Sequence, residues 1–447
     1  MTSRRKAMWG WALYDWANSA FATTVMAGFF PLFFKQYWSA GADPNLSTAR
    51  LGLANSLASL VVALLAPVLG AIADRGGARK RFLLLFAYLG VLMTGCLFWV
   101  EKGAWQWAVL LYLGGNIGFA GANSFYDALL PTVAGKDRVD FVSGLGYSLG
   151  YLGGGLLFLG NVLMVLHPGA FALAGPAQAV RLSFLSVALW WGGFTLFLVR
   201  WLPEERAPGP APGWRRALAQ GLGQIGGTLK RLRRLPMLWL FLLAYWFYID
   251  GVDTIIRMAV DYGLSLGFHS QDLIKALLIT QFVGFPSALA FGRLARTWGV
   301  RRCLYLAMGV YALVCLLAMG MSRPLHFYLL ATAIGLVQGG IQALSRSYYT
   351  RLIPPGQEAE FFGFFNMLGK FAAILGPALV GGVGLWLRHL LLAPGASPQQ
   401  VEAAQRLASR GSIGSVVLLF VLGAALFYFV DEEKGARQAR EQALSGT

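Results

Sequence analysis

Apolar residues run along this chain in long uninterrupted blocks, without the alternation that marks a half-buried strand. Crossing a bilayer takes about 20 such residues in a helix. Blocks of that length lie near 9 to 34, 51 to 73, 82 to 100, 104 to 130, 141 to 166 and 182 to 202. After a gap they resume near 236 to 262, 272 to 294, 303 to 321, 325 to 352, 361 to 390 and 412 to 430. The pattern predicts an all-α integral membrane protein of twelve transmembrane helices in two six-helix bundles, residues 1–202 and 236–447. Residues 203–235 form a linker between them. The first block is too long for a signal-peptide core and has no small-residue cleavage site, so it is expected to stay as a span.

Composition excludes a soluble reading. Of 447 residues, 57% are hydrophobic and 13% charged, about half the roughly 25% of soluble domains. The 56 glycines follow no collagen period and are expected where hydrophobic helices pack closely. A net charge of +17 suggests nucleic acid only if it gathers on one soluble face. Here the basic residues fall between the apolar blocks, so no nucleic-acid partner is expected, and membrane lipids are the surroundings. Loops on the side of the N-terminus hold 26 of the 37 lysines and arginines, and the opposite loops hold eight. That asymmetry predicts both termini in the cytoplasm. Cys96, Cys303 and Cys315 are too scattered for a disulfide framework or a metal site. Neither a phosphate-binding Gly-x-x-x-x-Gly-Lys-Ser/Thr loop nor a His-Glu-x-x-His pair occurs. No cofactor and no enzyme activity are expected, and any driving force is a gradient. In the linker, a Pro/Gly run over 207–213 precedes Trp214, Leu218, Leu222, Ile225, Leu229 and Leu232 at helical spacing among arginines. This predicts a basic amphipathic helix along the inner membrane face.

The halves repeat each other. Gly70, Ala73, Gly77 and Arg79 after the second block return as Gly292, Ala295, Gly299 and Arg301 after the eighth, a shift of 222. The fourth block ends Ser124-Phe-Tyr126-Asp127 and the tenth Ser347-Tyr-Tyr349-Thr350, a shift of 223. Parallel six-span repeats joined by a long basic loop suit two bundles rocking about a site near the bilayer midplane.

The turn Gly70-x-x-Ala73-Asp74-Arg75-x-Gly77-x-Arg79-Lys80 resembles the loop signature of the major facilitator superfamily. The opening Trp11-Ala-Leu-Tyr14-Asp15-Trp16-Ala-Asn18-Ser19-Ala-Phe21, followed by Phe29-Phe-Pro-Leu-Phe-Phe-Lys35, resembles the vacuole effluxer family and its bacterial relatives. The resemblance implies the major facilitator fold, with spans one, four, seven and ten lining the cavity, and, in fungal members, export of amino acids from the vacuole. Asp74, Arg75, Gly77 and Arg79 would then form a conformational loop. The second copy carries Arg296 in place of Asp74, so any latch there is expected on one side only.

Polar residues inside spans are the informative ones, because a charge in hydrocarbon costs several kcal/mol unless paired or wet. Asn116, Asn123 and Asp127 share a face of span four, and Gln338, Gln342 and Arg346 a face of span ten. Asp15 and Asn18 sit together in span one, and Asp250, Asp253 and Arg257 in span seven. The helical rise puts Asp15, Asp127 and Arg346 roughly 6 to 12 Å from one end, with Asp250 near mid-depth. Asp127 and Arg346 are expected to pair across the halves when that end closes. Asp253 and Arg257 read equally well as an outer gate or as an i,i+4 pair that eases insertion. Lys370 is a further member of this charge network. Asp15 and Asp250 have no ionic partner one turn away and are the candidate proton carriers, although Asp15 also reads as a helix-start hydrogen-bonding group. Asn18, Asn116, Asn123, Gln338 and Gln342, with Tyr14, Tyr147 and Trp246, are the candidate binding set for a small polar solute, each amide also open to plain interhelical bonding.

The expectation is a monomeric, proton-coupled secondary transporter of a small-molecule substrate, most of all amino acids, working by alternating access in a bacterial inner membrane. A facilitative or drug or sugar exporter of the same fold, a non-transporting sensor and a lipid scramblase remain alternatives.

Overall fold

The computed structural model describes residues 3–40, 50, 57, 60–62, 69–70, 72–74, 77–204, 233–266, 268–371, 375–392 and 397–445. Most of the second expected span, the amphipathic linker segment, Arg75 and the side chain of Lys370 lie outside the described residues. Among those described, nine helices are long and apolar enough to cross a membrane, and none of the ordered elements is a strand. The protein is an integral membrane helical bundle.

The expected spans are present where they are described, but many start earlier than the apolar blocks do. Arg79–Cys96 and Val300–Met319 begin on their basic clusters, because helix propensity does not end where hydropathy does. Trp105–Ala128 is long enough to span, yet it is not among the nine; Asn116, Asn123 and Asp127 lower its hydropathy. The expected eleventh span is described as Glu358–Phe371 and Leu375–Leu391. The first run, Arg4–Trp38, winds more widely over Phe21–Phe29 and Phe34–Trp38, where backbone bonds reach one residue further.

Small residues set the spacing. Gly118 of Trp105–Ala128 lies directly on the backbone of Gly90, and Gly90 also receives the Trp191 ring, so two helices meet backbone to backbone and a third packs its indole beside them. Between the chain halves, Val139–Leu166 crosses Ser270–Trp298 where a Cβ on Gly144 would come 2.8 Å from the Ala288 carbonyl oxygen and 3.2 Å from Gly292 Cα. Outward from these contacts, Leu85, Leu92, Leu189, Leu329 and Leu385 are exposed, as lipid-facing positions are. Arg4, Arg79, Arg138, Arg301 and Arg351 gather at one end of the bundle, the basic end.

Filling the Gly90–Gly118 contact should loosen the amino-terminal helices. Gly118→Val is expected to cost about 1 to 3 kcal/mol by overpacking, read as a lower melting temperature in detergent, whereas Gly193→Val, at a position with nothing near it, leaves melting unchanged.

Candidate functional site

Arg346, in Pro324–Leu352, is a buried charge with a side chain 3% exposed. Its Nη1 donates to Asp127 Oδ1 at 2.9 Å, Nε to Ser143 Oγ at 3.0 Å and Nη2 to the Ser143 carbonyl at 3.0 Å. Three rings surround the guanidinium: Tyr147, Trp11 and Tyr126 lie 4.4, 4.9 and 5.3 Å from Cζ. Trp11 and Tyr126 stack at 4.2 Å and 8°, locked by a bond from Trp11 Nε1 to the Tyr126 carbonyl. The Tyr126 hydroxyl in turn donates to Asp15 Oδ2 at 3.1 Å, and Ser19 Oγ donates to Asp15 Oδ1 at 3.3 Å. Asn366 Nδ2 donates to the second Asp127 oxygen at 3.1 Å. Asp127, Arg346 and Asp15 therefore form one buried cluster joining the two chain halves.

Asp250 is fully buried and stands apart from that cluster. Its Oδ1 accepts from the Gly376 N–H at 2.9 Å and from Thr254 Oγ1 at 3.2 Å, while Oδ2 has no hydrogen-bond partner among the described residues. Glycine is needed at 376, since a Cβ would run into Thr254 and lie 2.7 Å from the carboxylate. Tyr14 is fully buried, and Trp246 Nε1 is buried with no hydrogen-bond partner among the described residues. The amides divide. Asn18 Nδ2 donates to Asn123 Oδ1 at 2.6 Å, joining spans one and four. Asn116 Nδ2 bonds back to the Tyr112 carbonyl of its own helix at 2.9 Å. Gln342 Oε1 accepts from the Tyr151 hydroxyl across the halves at 3.2 Å, with Gln338 half-buried one turn away. Further along, Gln281 Nε2 donates to Thr23 Oγ1 at 3.2 Å. Asp253 is half-buried and Arg257 exposed.

Two further ionic groups tie the halves at the basic end. Asp74 accepts from the backbone N–H groups of Ala359 and Glu360 at 3.0 and 2.9 Å, at the start of Glu358–Phe371. An acid suits a helix N-terminus, where free N–H groups and the dipole are positive. Arg79 bridges Asp74 and Glu358 at 2.7 and 2.5 Å, and Gly77 makes the turn at a φ of 57°. The matching Arg296 is exposed. Burial pushes the Asp74 carboxyl up to about 6 against the opposing pull of Arg79 and the two N–H groups. Arg351 is shared between Asp140 of the amino-terminal half and Glu432 of the carboxy-terminal helix, each at 2.6 Å. Sequence periodicity singled out neither Ser143, Asn366, Arg351 nor Asp140. The rings Trp11 and Tyr126 were visible as motif residues without a role.

Buried acids, amides and one cation between two parallel helix sets, within an integral membrane bundle, define a membrane transporter of the major facilitator type. The human organic anion transporter MFSD10 (TETRAN) has this fold, with a TM-score of 0.67 over 95% of this chain and 100% of that one at 17% identity. A bacterial homolog of the human lysosomal transporter Spinster, inward-facing and unoccupied, gives 0.52 over 98% of each chain at 16% identity. The chain belongs to the vacuole effluxer Atg22-like family, whose model matches residues 3–51 and 46–384. An MFS-type transporter of Bacillus subtilis (strain 168), YxiO, is 37% identical over 97% of this chain and 96% of its own. Autophagy-related protein 22 of Coccidioides immitis (strain RS) is 24% identical over 99% and 89%.

Removing one partner of a buried pair strands the other, at about 3 to 5 kcal/mol. Arg346→Ala and Asp127→Asn should each widen the basic end, read as longer distances between spin labels at Arg138 and Thr297, with the double variant no worse than either single one. Asp74 supplies a pH dependence. The closed loop holds a proton more tightly than a solvated carboxyl does, so closing is strengthened as pH falls through about 6. Asp74→Asn should remove that dependence from the same label distances.

Proposed function

We propose that this protein is a proton-coupled exporter of small polar organic solutes, most of all amino acids, working by alternating access in a bacterial inner membrane. The observation that carries the reading is the Asp127–Arg346 pair, a fully buried ionic contact whose partners belong to different halves of the chain. Such a pair is costly unless its making and breaking serves a motion. In this reading twelve spans form two six-helix bundles, residues 1–202 and 236–447. Both termini face the cytoplasm, and this structure is the state closed on that side. The Asp74 and Arg351 groups reinforce closure. Asp253 and Arg257 belong to the charge network that answers it on the other side, and Lys370 is a further member of that network facing Asp15 or Asp127.

The solute meets Asn18, Asn116, Asn123, Gln338 and Gln342, with Tyr14, Tyr147 and Trp246 supplying apolar faces. Amides beside charges of both signs suit a zwitterion. The bacterial relative YxiO supports the membrane assignment, and the effluxer name of the family supports export. Asp250, one of whose oxygens has no hydrogen-bond partner among the described residues, and Asp15, which accepts from two hydroxyls, carry the proton.

In proteoliposomes, Asp250→Asn and Asp15→Asn should each abolish uptake driven by a pH gradient while solute-for-solute exchange persists. Gradient dependence unchanged in both variants would remove the proton from the mechanism, and movement of lipid without solute would favour a scramblase.

A further inference from the structure

Every group that holds the Arg346 guanidinium comes from the amino-terminal half, while Arg346 itself comes from the other. The acid is Asp127, the hydroxyl and carbonyl belong to Ser143, and the walls are Trp11, Tyr126 and Tyr147. The Trp11 and Tyr126 walls are fixed to one another without help from the arginine, whereas Asp127 also accepts from Asn366 and Ser143 Oγ donates to the Ala343 carbonyl, both of the carboxy-terminal half. Trp11 is stacked and bonded to Tyr126, and Tyr126 is bonded to Asp15. Val139–Leu166 is pressed against them, since a Cβ on Gly146 would lie 2.7 Å from the Tyr126 hydroxyl and 2.8 Å from Trp11. The amino-terminal half thus supplies the acid, the hydroxyl and the aromatic walls of a cation site, and Arg346 of the carboxy-terminal half fills it.

We infer that, when the halves part at the basic end, this receptor takes the ammonium or guanidinium group of an organic cation in place of Arg346. The inference rests on the transport reading above and names the chemical group its cargo presents. A buried carboxylate left without its cation is costly, so the vacated receptor demands a replacement positive charge. Aromatic faces at 4.4 to 5.3 Å favour a flat or alkylated organic cation over a strongly hydrated metal ion. Arg346 is then a tethered competitor. It expels the cargo's positive group as the end closes, and the cargo must displace it to enter.

The test is rescue by a small cation. In full-length Arg346→Ala protein in detergent, millimolar methylguanidinium should restore about half of the lost melting temperature, and its neutral isostere methylurea should restore none. Adding Asp127→Asn should abolish the rescue. No rescue, equal rescue by methylurea, or rescue that survives Asp127→Asn would each overturn the inference. Should Arg346→Ala fail to fold, the otherwise intact chain serves, with Cys96, Cys303 and Cys315 replaced and spin labels at Arg138 and Thr297. Methylguanidinium should lengthen the label distance there, and an unchanged distance overturns the inference equally. A carrier of neutral or anionic solutes would pass the gradient test above and fail this one, so the two readings fall separately.

Discussion

A guanidinium and a carboxylate removed from water inside a membrane bundle must satisfy each other almost completely, and that requirement organises the centre of this molecule. Arg346 spends its bonds on Asp127 and Ser143 and its faces on three rings. Asp127 uses its second oxygen on Asn366. These demands are met from several helices, so the first, fourth, fifth, tenth and eleventh expected spans come together around one ionic contact.

Much of this was legible in the sequence, for a physical reason. Hydrocarbon tolerates so few polar groups that each one left inside a span marks itself, and the helical repeat then says which of them share a face. Asp127 and Arg346 were readable as facing residues of opposing halves, and Asp250 as an acid without an ionic partner. Hidden were the bonds that depend on a third helix. Ser143 looks like one more small residue in a glycine-rich run, and its hydroxyl and carbonyl gain meaning only when Arg346 arrives from 203 positions away. Asn116 illustrates the converse. It sits on the polar stripe, yet its amide nitrogen bonds its own helix one turn back, a local option that periodicity cannot distinguish from a ligand contact.

The near-repeat of the two halves is equally instructive where it fails. Asp74 and Arg296 occupy equivalent places after the second and eighth expected spans, but only Asp74 caps a helix of the other half. An acid fits the positive end of a helix and an arginine does not. The pseudo-symmetry of the chain thus carries an electrostatic polarity that its backbone lacks.

Arg351 stands at a fork of a different kind. One guanidinium serves both Asp140, across the divide, and Glu432, on the helix that ends the chain. Its Nη1 reaches Glu432 and its Nη2 reaches Asp140, so the Glu432–Ser445 helix and the seam between the halves hang on the same planar group.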